Sequence, residues 1–288
     1  MPEGPEVKIS SELIKPLVID KTIKAAYSTS NSRYGDSRQN GTRELGMDFG
    51  RFLDFDPEQS EDSYNNPPTK VIEVNVKGKF MFWEFNNGFH MMCTFGMSGQ
   101  WSPIAGKHPC FVFEFTDGTT VYFNDPRHFG TIYFTMSPSP VIDKLNDLGW
   151  DPLSEDWTKW SSFITAQVRK SDKPIGELLM NQKLFAGVGN YIRAEALYAS
   201  KLSPWRKGNN LSISEINSLS EALVKVMKES YDHQGATIHT YKDAYGEEGK
   251  YSSCFKVYGQ KSDPFGHTIK KETTPEGRSI HWCPDVQI

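Results

Sequence analysis

The sequence predicts an α+β protein: an N-terminal β-sandwich preceded by one helix, then a C-terminal helical domain ending in a β-hairpin. Two observations carry this. Between residues 70 and 135, apolar and polar residues alternate in short runs separated by turn residues, as in strands buried on one face. Beyond residue 148 the apolar spacing becomes helical, and it fails again after Gly235.

The elements follow in order. Val7, Ile14, Leu17 and Val18 recur at helical spacing behind Pro5, which suits a first helical turn, so residues 5–18 read as a helix. From about Ser28 to Thr69 the chain is rich in Ser, Asn, Gly, Asp and Pro and reads mostly as loop. Ile72, Val74 and Val76 alternate with Glu73 and Asn75, and further strands are expected at Phe80–Phe85 and His90–Phe95. Phe111, Phe113 and Phe115 alternate again. Thr116-Asp117-Gly118-Thr119 is a hairpin signal leading into Val121–Asn124, and Thr131–Phe134 completes the run. Such a series of antiparallel strands implies the sandwich. The composition changes at Leu148–Leu153, so the linker lies around residues 148–156 and the domains are 1–149 and 150–288. In the second domain Ser212-Ile213-Ser214-Glu215 is a capping box ahead of Ile216, Leu219, Leu223 and Met227 on one helix face. Lys256–Tyr258 and Arg278–Trp282 read as two short strands bracketing a loop.

Bulk properties exclude several classes. A chain of 288 residues with 37% hydrophobic and 24% charged residues is globular and long enough for two cores. No apolar run approaches the ~20 residues of a membrane helix. The start, Met-Pro-Glu-Gly-Pro-Glu, lacks the basic and apolar regions of a secretory signal, which points to an intracellular protein. Cys93, Cys110, Cys254 and Cys283 have no paired spacing and read as reduced thiols. The net charge of -4 weighs against a nucleic-acid partner, although a local basic groove would outweigh it at contact distance.

Chemistry begins at Pro2. If Met1 is removed, Pro2 exposes a secondary amine, and α-amino groups titrate near ~8, leaving a usable neutral fraction at neutral pH. Such an amine can attack a sugar C1′ and form an iminium, with Glu3 beside it shuttling protons. Taken alone, the peptide reads more simply as a rigid helix start whose acids complement the helix dipole.

Its company changes that balance. The terminal Pro-Glu-Gly-Pro-Glu is followed in order by Lys77-Gly78-Lys79-Phe80, Gly96-Met97-Ser98-Gly99 and Asp125-Pro126-Arg127-His128-Phe129-Gly130. Then come Gly187-Val188-Gly189-Asn190-Tyr191, Val257-Tyr258-Gly259 and Gly277-Arg278-Ser279-Ile280. Together, over nearly the full length, these motifs resemble the formamidopyrimidine-DNA glycosylase / endonuclease VIII family of bifunctional DNA glycosylases.

The resemblance implies a role for each residue. Pro2 would be the nucleophile, Glu3 the general acid/base and Glu6 a supporting group. Lys79 would contact the phosphate beside the damaged nucleotide; locally it also reads as a solvated turn lysine, like Lys77. Met97, Arg127 and Phe129 would fill the gap left by a flipped nucleotide, a task for apolar wedges and a donor. From local sequence, Met97 and Phe129 read equally as core. Gly189 and Asn190 would lie in the turn of a helix-two-turn-helix, where small residues and a helix N-terminus suit a phosphate. The third glycine of a dinucleotide fingerprint is absent, Ile192 standing in its place. Arg278, at the tip of the terminal hairpin, would grip the phosphate of the flipped nucleotide.

The sequence departs from the family pattern in the segment of about residues 255–288. Many members hold a zinc there with four cysteines. Here only Cys283 remains, with Ser262, Phe265 and Val286 at the other three places. One thiolate cannot close a tetrahedral site, and the spacing of His267 and His281 to Cys283 copies no known ligand pattern. The expectation is a zincless finger, with neither metal nor organic cofactor. Residues 173–183 and 191–195 resemble the endonuclease VIII-like branch, whereas the Thr237–Ser253 loop matches in length the one covering oxidised purines in the other branch. The reading favours oxidised pyrimidines and further-oxidised purines, removed with β,δ-elimination by a monomer acting on damaged DNA, duplex or single-stranded, in the nucleus or DNA-containing cytoplasm. The alternatives are an abasic-site lyase with weak base excision and an inactive DNA-binding homologue. The two domains are expected to form a cleft that kinks the duplex.

Overall fold

The computed structural model describes residues 2–35, 45, 52, 68–237, 244–274 and 276–288. The chain divides into two compact units. The first holds Met1–Pro2, Glu6–Asn146 and Thr237–Gly249; the second holds Glu3–Pro5, Asp147–Ala236 and Lys250–Ile288. The helical spacing behind Pro5 produces helix α1 (Gly4–Val18), whose first residues therefore belong to the second unit.

The first unit carries two four-stranded antiparallel sheets. One runs in the order β1 (Ile23–Ser28), β6 (Pro109–Phe115), β7 (Thr120–Asn124), β5 (Gln100–Ser102). The other runs β2 (Val71–Lys77), β3 (Phe80–Phe85), β4 (His90–Thr94), β8 (Thr131–Thr135). In the second sheet Val74 pairs with Trp83, Trp83 with Met91 and Met91 with Phe134, so one buried row crosses all its strands. This is the period-two pattern expressed as a face. The rings of Trp83 and Trp101 lie 4.9 Å apart and those of Trp83 and Phe113 5.3 Å apart, which joins the two sheets through their inner faces. Aromatic pairs at such spacings add about 0.5–1.5 kcal/mol each beyond area burial. Val7, Ile14 and Val18 of α1 pack into the same core.

Two strands had no clear sequence signal. In β1 alternation is weak because Ala25 and Ala26 interrupt it, and β5 is three residues long. Most of the Ser28–Thr69 loop lies outside the described residues, as do positions 238–243 of the Thr237–Ser253 loop. The described part of the latter is tied to the sandwich by Ser102, whose hydroxyl donates to the Ala244 carbonyl at 2.6 Å.

Helix α2 (Ser139–Asp147) ends the first unit, and the second holds α3 (Trp157–Lys170), α4 (Ile175–Leu178), α5 (Asn190–Ala199) and α6 (Ile213–Asp232). The capping box forms as expected: Ser212 Oγ accepts from the Glu215 amide at 3.2 Å, and Glu215 Oε2 accepts from the Ser212 amide at 2.8 Å. Ile216, Leu219, Leu223 and Met227 are all buried. The hairpin is β9 (Lys270–Thr273) paired with β10 (Ser279–Trp282). Lys256–Tyr258, expected as a strand, is a bend instead. Its three consecutive amides converge on the Glu195 carboxylate at 2.7–3.0 Å, which extended backbone, with N–H groups alternating in direction, cannot achieve. The true partner strand, Lys-Lys-Glu-Thr, is polar and mostly exposed, so it carries no hydrophobic signal. Among the described residues, no helix is long and apolar enough to cross a membrane.

Candidate functional site

In the second unit the site is built around Glu3. This residue is 2% exposed, and its carboxylate caps helix α5: Oε1 accepts from the Tyr191 amide at 3.0 Å and Oε2 from the Ile192 amide at 3.4 Å. Orphan first-turn amides and the positive end of the helix favour a carboxylate here. These amides were expected to face a phosphate; Glu3 occupies them instead. The terminal segment is further fixed by the Gly4 amide, which donates to the Gly187 carbonyl at 2.9 Å. Gly189 is what lets the carboxylate in. A Cβ at 189 would stand 2.2 Å from the Glu3 carboxyl carbon and 2.5 Å from each of its oxygens.

Asn190 opens α5 and is half-buried. Its Oδ1 accepts from Nη2 of Arg193, which turns the carboxamide so that the NH2 end remains to donate. Arg193, which none of the motifs singles out, is fully buried. Its Nη1 donates to the Gly176 carbonyl at 2.9 Å and to Glu276 Oε1 at 3.3 Å, and Nη2 also donates to the Ser279 carbonyl at 3.0 Å. One guanidinium therefore joins the helix start to the tip of the β9–β10 hairpin. Burial lowers its pKa, and the charges of Glu276 and Glu3 oppose that shift. The signal was available: an arginine between Ile192 and Ala194, inside an otherwise apolar helix, has to be paired if buried.

At the hairpin tip, both the amide and the hydroxyl of Thr274 donate to the Arg278 carbonyl at 2.8 Å. The backbone of Arg278 is thereby fixed while its side chain stays exposed. Tyr258 is hydrogen-bonded to Asn190 at the start of α5. Burial and the charge of Glu3 raise its hydroxyl pKa, and a hydrogen bond with Asn190 works the other way.

In the first unit Pro2 and Glu6 are both buried. Lys79 lies in the two-residue turn between β2 and β3 and is half-buried. Met97 and Phe129 are 39% and 53% exposed, which excludes the core alternative for both. The Arg127 guanidinium lies 5.3 Å from the centre of the Phe129 ring, within cation–π range. Two loops present these three side chains together, and Asp125 is the clamp that sequence reading left unassigned. Its carboxylate accepts from Ser98 Oγ and from the Gly130 amide, both at 2.6 Å, and Ser98 Oγ accepts from the Arg127 amide at 3.1 Å. Gly96, at φ +58°, allows the contact, since a Cβ there would meet the Phe129 carbonyl carbon at 2.5 Å.

The residues of the terminal segment do not fit a structural zinc. Ser262 is exposed and pairs with Thr268, and Phe265 is 80% exposed. His281 packs against the Tyr258 ring at 5.1 Å. Among the described residues, only Asp263, His267 and Cys283 bring ligand-type atoms within 4.8 Å of one another, one short of a closed tetrahedral set.

The chain is similar in sequence and fold to known proteins. Residues 1–132 match the formamidopyrimidine-DNA glycosylase N-terminal domain and residues 148–242 the formamidopyrimidine-DNA glycosylase H2TH domain. The formamidopyrimidine-DNA glycosylase of Lactiplantibacillus plantarum is 31% identical over 74% of this chain and 80% of its own length. The crystal structure of the Thermus thermophilus MutM (Fpg) protein superposes with a TM-score of 0.80 at 27% identity, covering 99% of this chain and 98% of that one. Lactococcus lactis Fpg, in a complex with DNA containing an abasic site, shares the fold with a TM-score of 0.81 at 23% identity, covering 99% of both chains.

Proposed function

The chain belongs to the formamidopyrimidine-DNA glycosylase family, and on that premise we propose that it is a base-excision-repair glycosylase and abasic-site lyase of the endonuclease VIII-like, zincless-finger branch. The observation that carries this reading is Glu3. A buried carboxylate held by two backbone amides, one residue after the amine that Met1 removal would expose, is a proton-transfer group prepared in advance. A protein that only bound DNA would have no use for a free secondary amine beside such a group.

The chemistry assigned to the residues runs as follows. The Pro2 nitrogen lone pair forms a bond to C1′ of the damaged nucleotide. The N-glycosidic bond breaks with its electron pair leaving on the base, which takes up a proton, and Glu3 manages the protons of this step and of ring opening to the iminium. Loss of a C2′ proton then expels the 3′ phosphate, and a second elimination expels the 5′ phosphate, leaving a one-nucleotide gap. Glu6 supports the amine. Lys79, Asn190 and Arg278 contact phosphates, while Met97, Arg127 and Phe129 take the place of the flipped nucleotide. Oxidised pyrimidines and further-oxidised purines are the preferred substrates, and the monomer needs no metal or organic cofactor.

Borohydride trapping tests this. Oligonucleotides carrying an oxidised pyrimidine, a further-oxidised purine, an abasic site or no lesion are incubated with protein whose Met1 removal has been verified by mass. Covalent adducts on every damaged substrate and none on intact DNA are expected. An adduct on the abasic site alone assigns a lyase with weak excision, and no adduct at all overturns the enzyme reading. Protein retaining Met1 has an amide nitrogen at Pro2 and should form none.

A further inference from the structure

Asp263 sits at the base of the β9–β10 hairpin, 4% exposed, and four hydrogen bonds converge on its carboxylate. Oδ2 accepts from the Tyr198 hydroxyl and from His267 Nδ1, each at 2.9 Å. Oδ1 accepts from the amides of Phe265 at 2.9 Å and His267 at 2.8 Å. The Cys283 thiol lies 4.0 Å from Oδ2. Tyr198 belongs to the last turn of α5, Phe265 and His267 to the turn before β9, and Cys283 follows β10. A single carboxylate thus reaches the helix and both open ends of the hairpin.

The protons decide between this arrangement and a metal. A carboxylate at hydrogen-bond distance can only accept, so the His267 proton resides on Nδ1 and the Tyr198 proton points inward. Burial pushes the Asp263 carboxyl up, but the His267 ring and amide, the Tyr198 hydroxyl and the Phe265 amide outweigh it and hold the group at about 2. A metal held through Asp263 Oδ2, His267 Nδ1 and Cys283 Sγ would have to displace the Nδ1 proton and its hydrogen bond to the carboxylate. At the other end of the same hairpin, Arg193 of α5 holds Glu276 and the Ser279 carbonyl.

We propose that Asp263 is the positioning residue of the terminal hairpin: in place of a metal ion, its carboxylate holds the strand pair that carries Arg278 to helix α5 through Tyr198 and His267. The consequence for base excision rests on the glycosylase reading above; the consequences for metal content and melting do not.

The test uses the full chain. Zinc content is measured by atomic emission, melting is recorded with and without EDTA, and borohydride trapping compares an oxidised-pyrimidine oligonucleotide with an abasic one. Wild-type protein should carry no stoichiometric zinc and melt identically in EDTA. Asp263→Asn should lose about tenfold or more in lesion excision relative to abasic-site trapping, the scale of charged hydrogen bonds. Tyr198→Phe, which removes one donor and keeps the ring, should show the same split at about threefold to tenfold. Cys283→Ala should keep both activities. One equivalent of zinc whose removal lowers the melting midpoint, with Cys283→Ala as damaging as Asp263→Asn, would overturn the proposal. Equal losses on both substrates in Tyr198→Phe and Asp263→Asn would do so too. Should wild type trap neither oligonucleotide, the glycosylase reading fails, while zinc content and the EDTA melt still decide the role of the carboxylate.

Discussion

Gly189 and Glu3 are matched across 186 positions of chain: a Cβ at 189 would lie 2.2 Å from the Glu3 carboxyl carbon, so the glycine at the helix start makes room for the acid. The motif glycine serves the protein's own carboxylate before it serves any ligand.

The first prediction tests that pairing. Gly189→Ala should displace Glu3 from the Tyr191 and Ile192 amides and cost about 1–3 kcal/mol through overpacking. It should also lower excision by roughly 10²-fold or more, the lower end of what general acid–base groups contribute. Thermal melting and single-turnover excision check the two effects; wild-type excision by the variant would remove the role assigned to the glycine.

Glu3→Gln keeps the size of the side chain while replacing one amide acceptor with a donor facing an N–H group. Excision of an intact lesion should fall by about 10²–10⁴-fold. Trapping on a preformed abasic site should fall less, because no base remains to be expelled there. Parallel trapping time courses on the two oligonucleotides measure the difference.

Arg193→Lys retains the charge but loses the planar fork that serves Asn190, Gly176, Glu276 and Ser279 together. The melting midpoint should drop, with a stability loss of about 3–5 kcal/mol, the usual cost of breaking a buried charged network. Hydrogen exchange should show faster exchange at the hairpin tip than at α6. Uniform acceleration would mean that the arginine supports the whole unit rather than the tip.

Asp125→Asn leaves the Ser98 hydroxyl or the Gly130 amide facing an NH2 group. The loops that carry Met97, Arg127 and Phe129 should loosen, with a stability cost of about 1–3 kcal/mol. Affinity for a lesion-containing duplex should fall while trapping on single-stranded abasic DNA is spared. Ser98→Ala, which removes one of the same bonds, should act in the same direction and less strongly.

Much of this was legible in the residues. The Val74, Trp83, Met91 and Phe134 row follows from period-two alternation, and the Ser212 cap follows from its own local chemistry. Pro2 and Glu3 stood out only in the company of the other motifs, since alone the terminal peptide reads as a helix start. What periodicity could not deliver was anything held by charge. The Lys256–Tyr258 segment has the apolar content of a strand, yet it bends because Glu195 gathers its amides.

The sequence by itself determined the two-part architecture and the family, since these rest on local patterns and on motifs that keep their order along the chain. Only the tertiary structure decided what holds the functional side chains in place. Glu3 meets the Tyr191 and Ile192 amides, Arg193 meets Ser279 and Glu276, Asp125 meets Ser98, and Asp263 meets Tyr198. Each gives a buried charged group a polar partner from far along the chain, because an unpaired charge out of water costs too much to keep. Such partners are chosen by proximity in the fold, which no spacing along the sequence encodes.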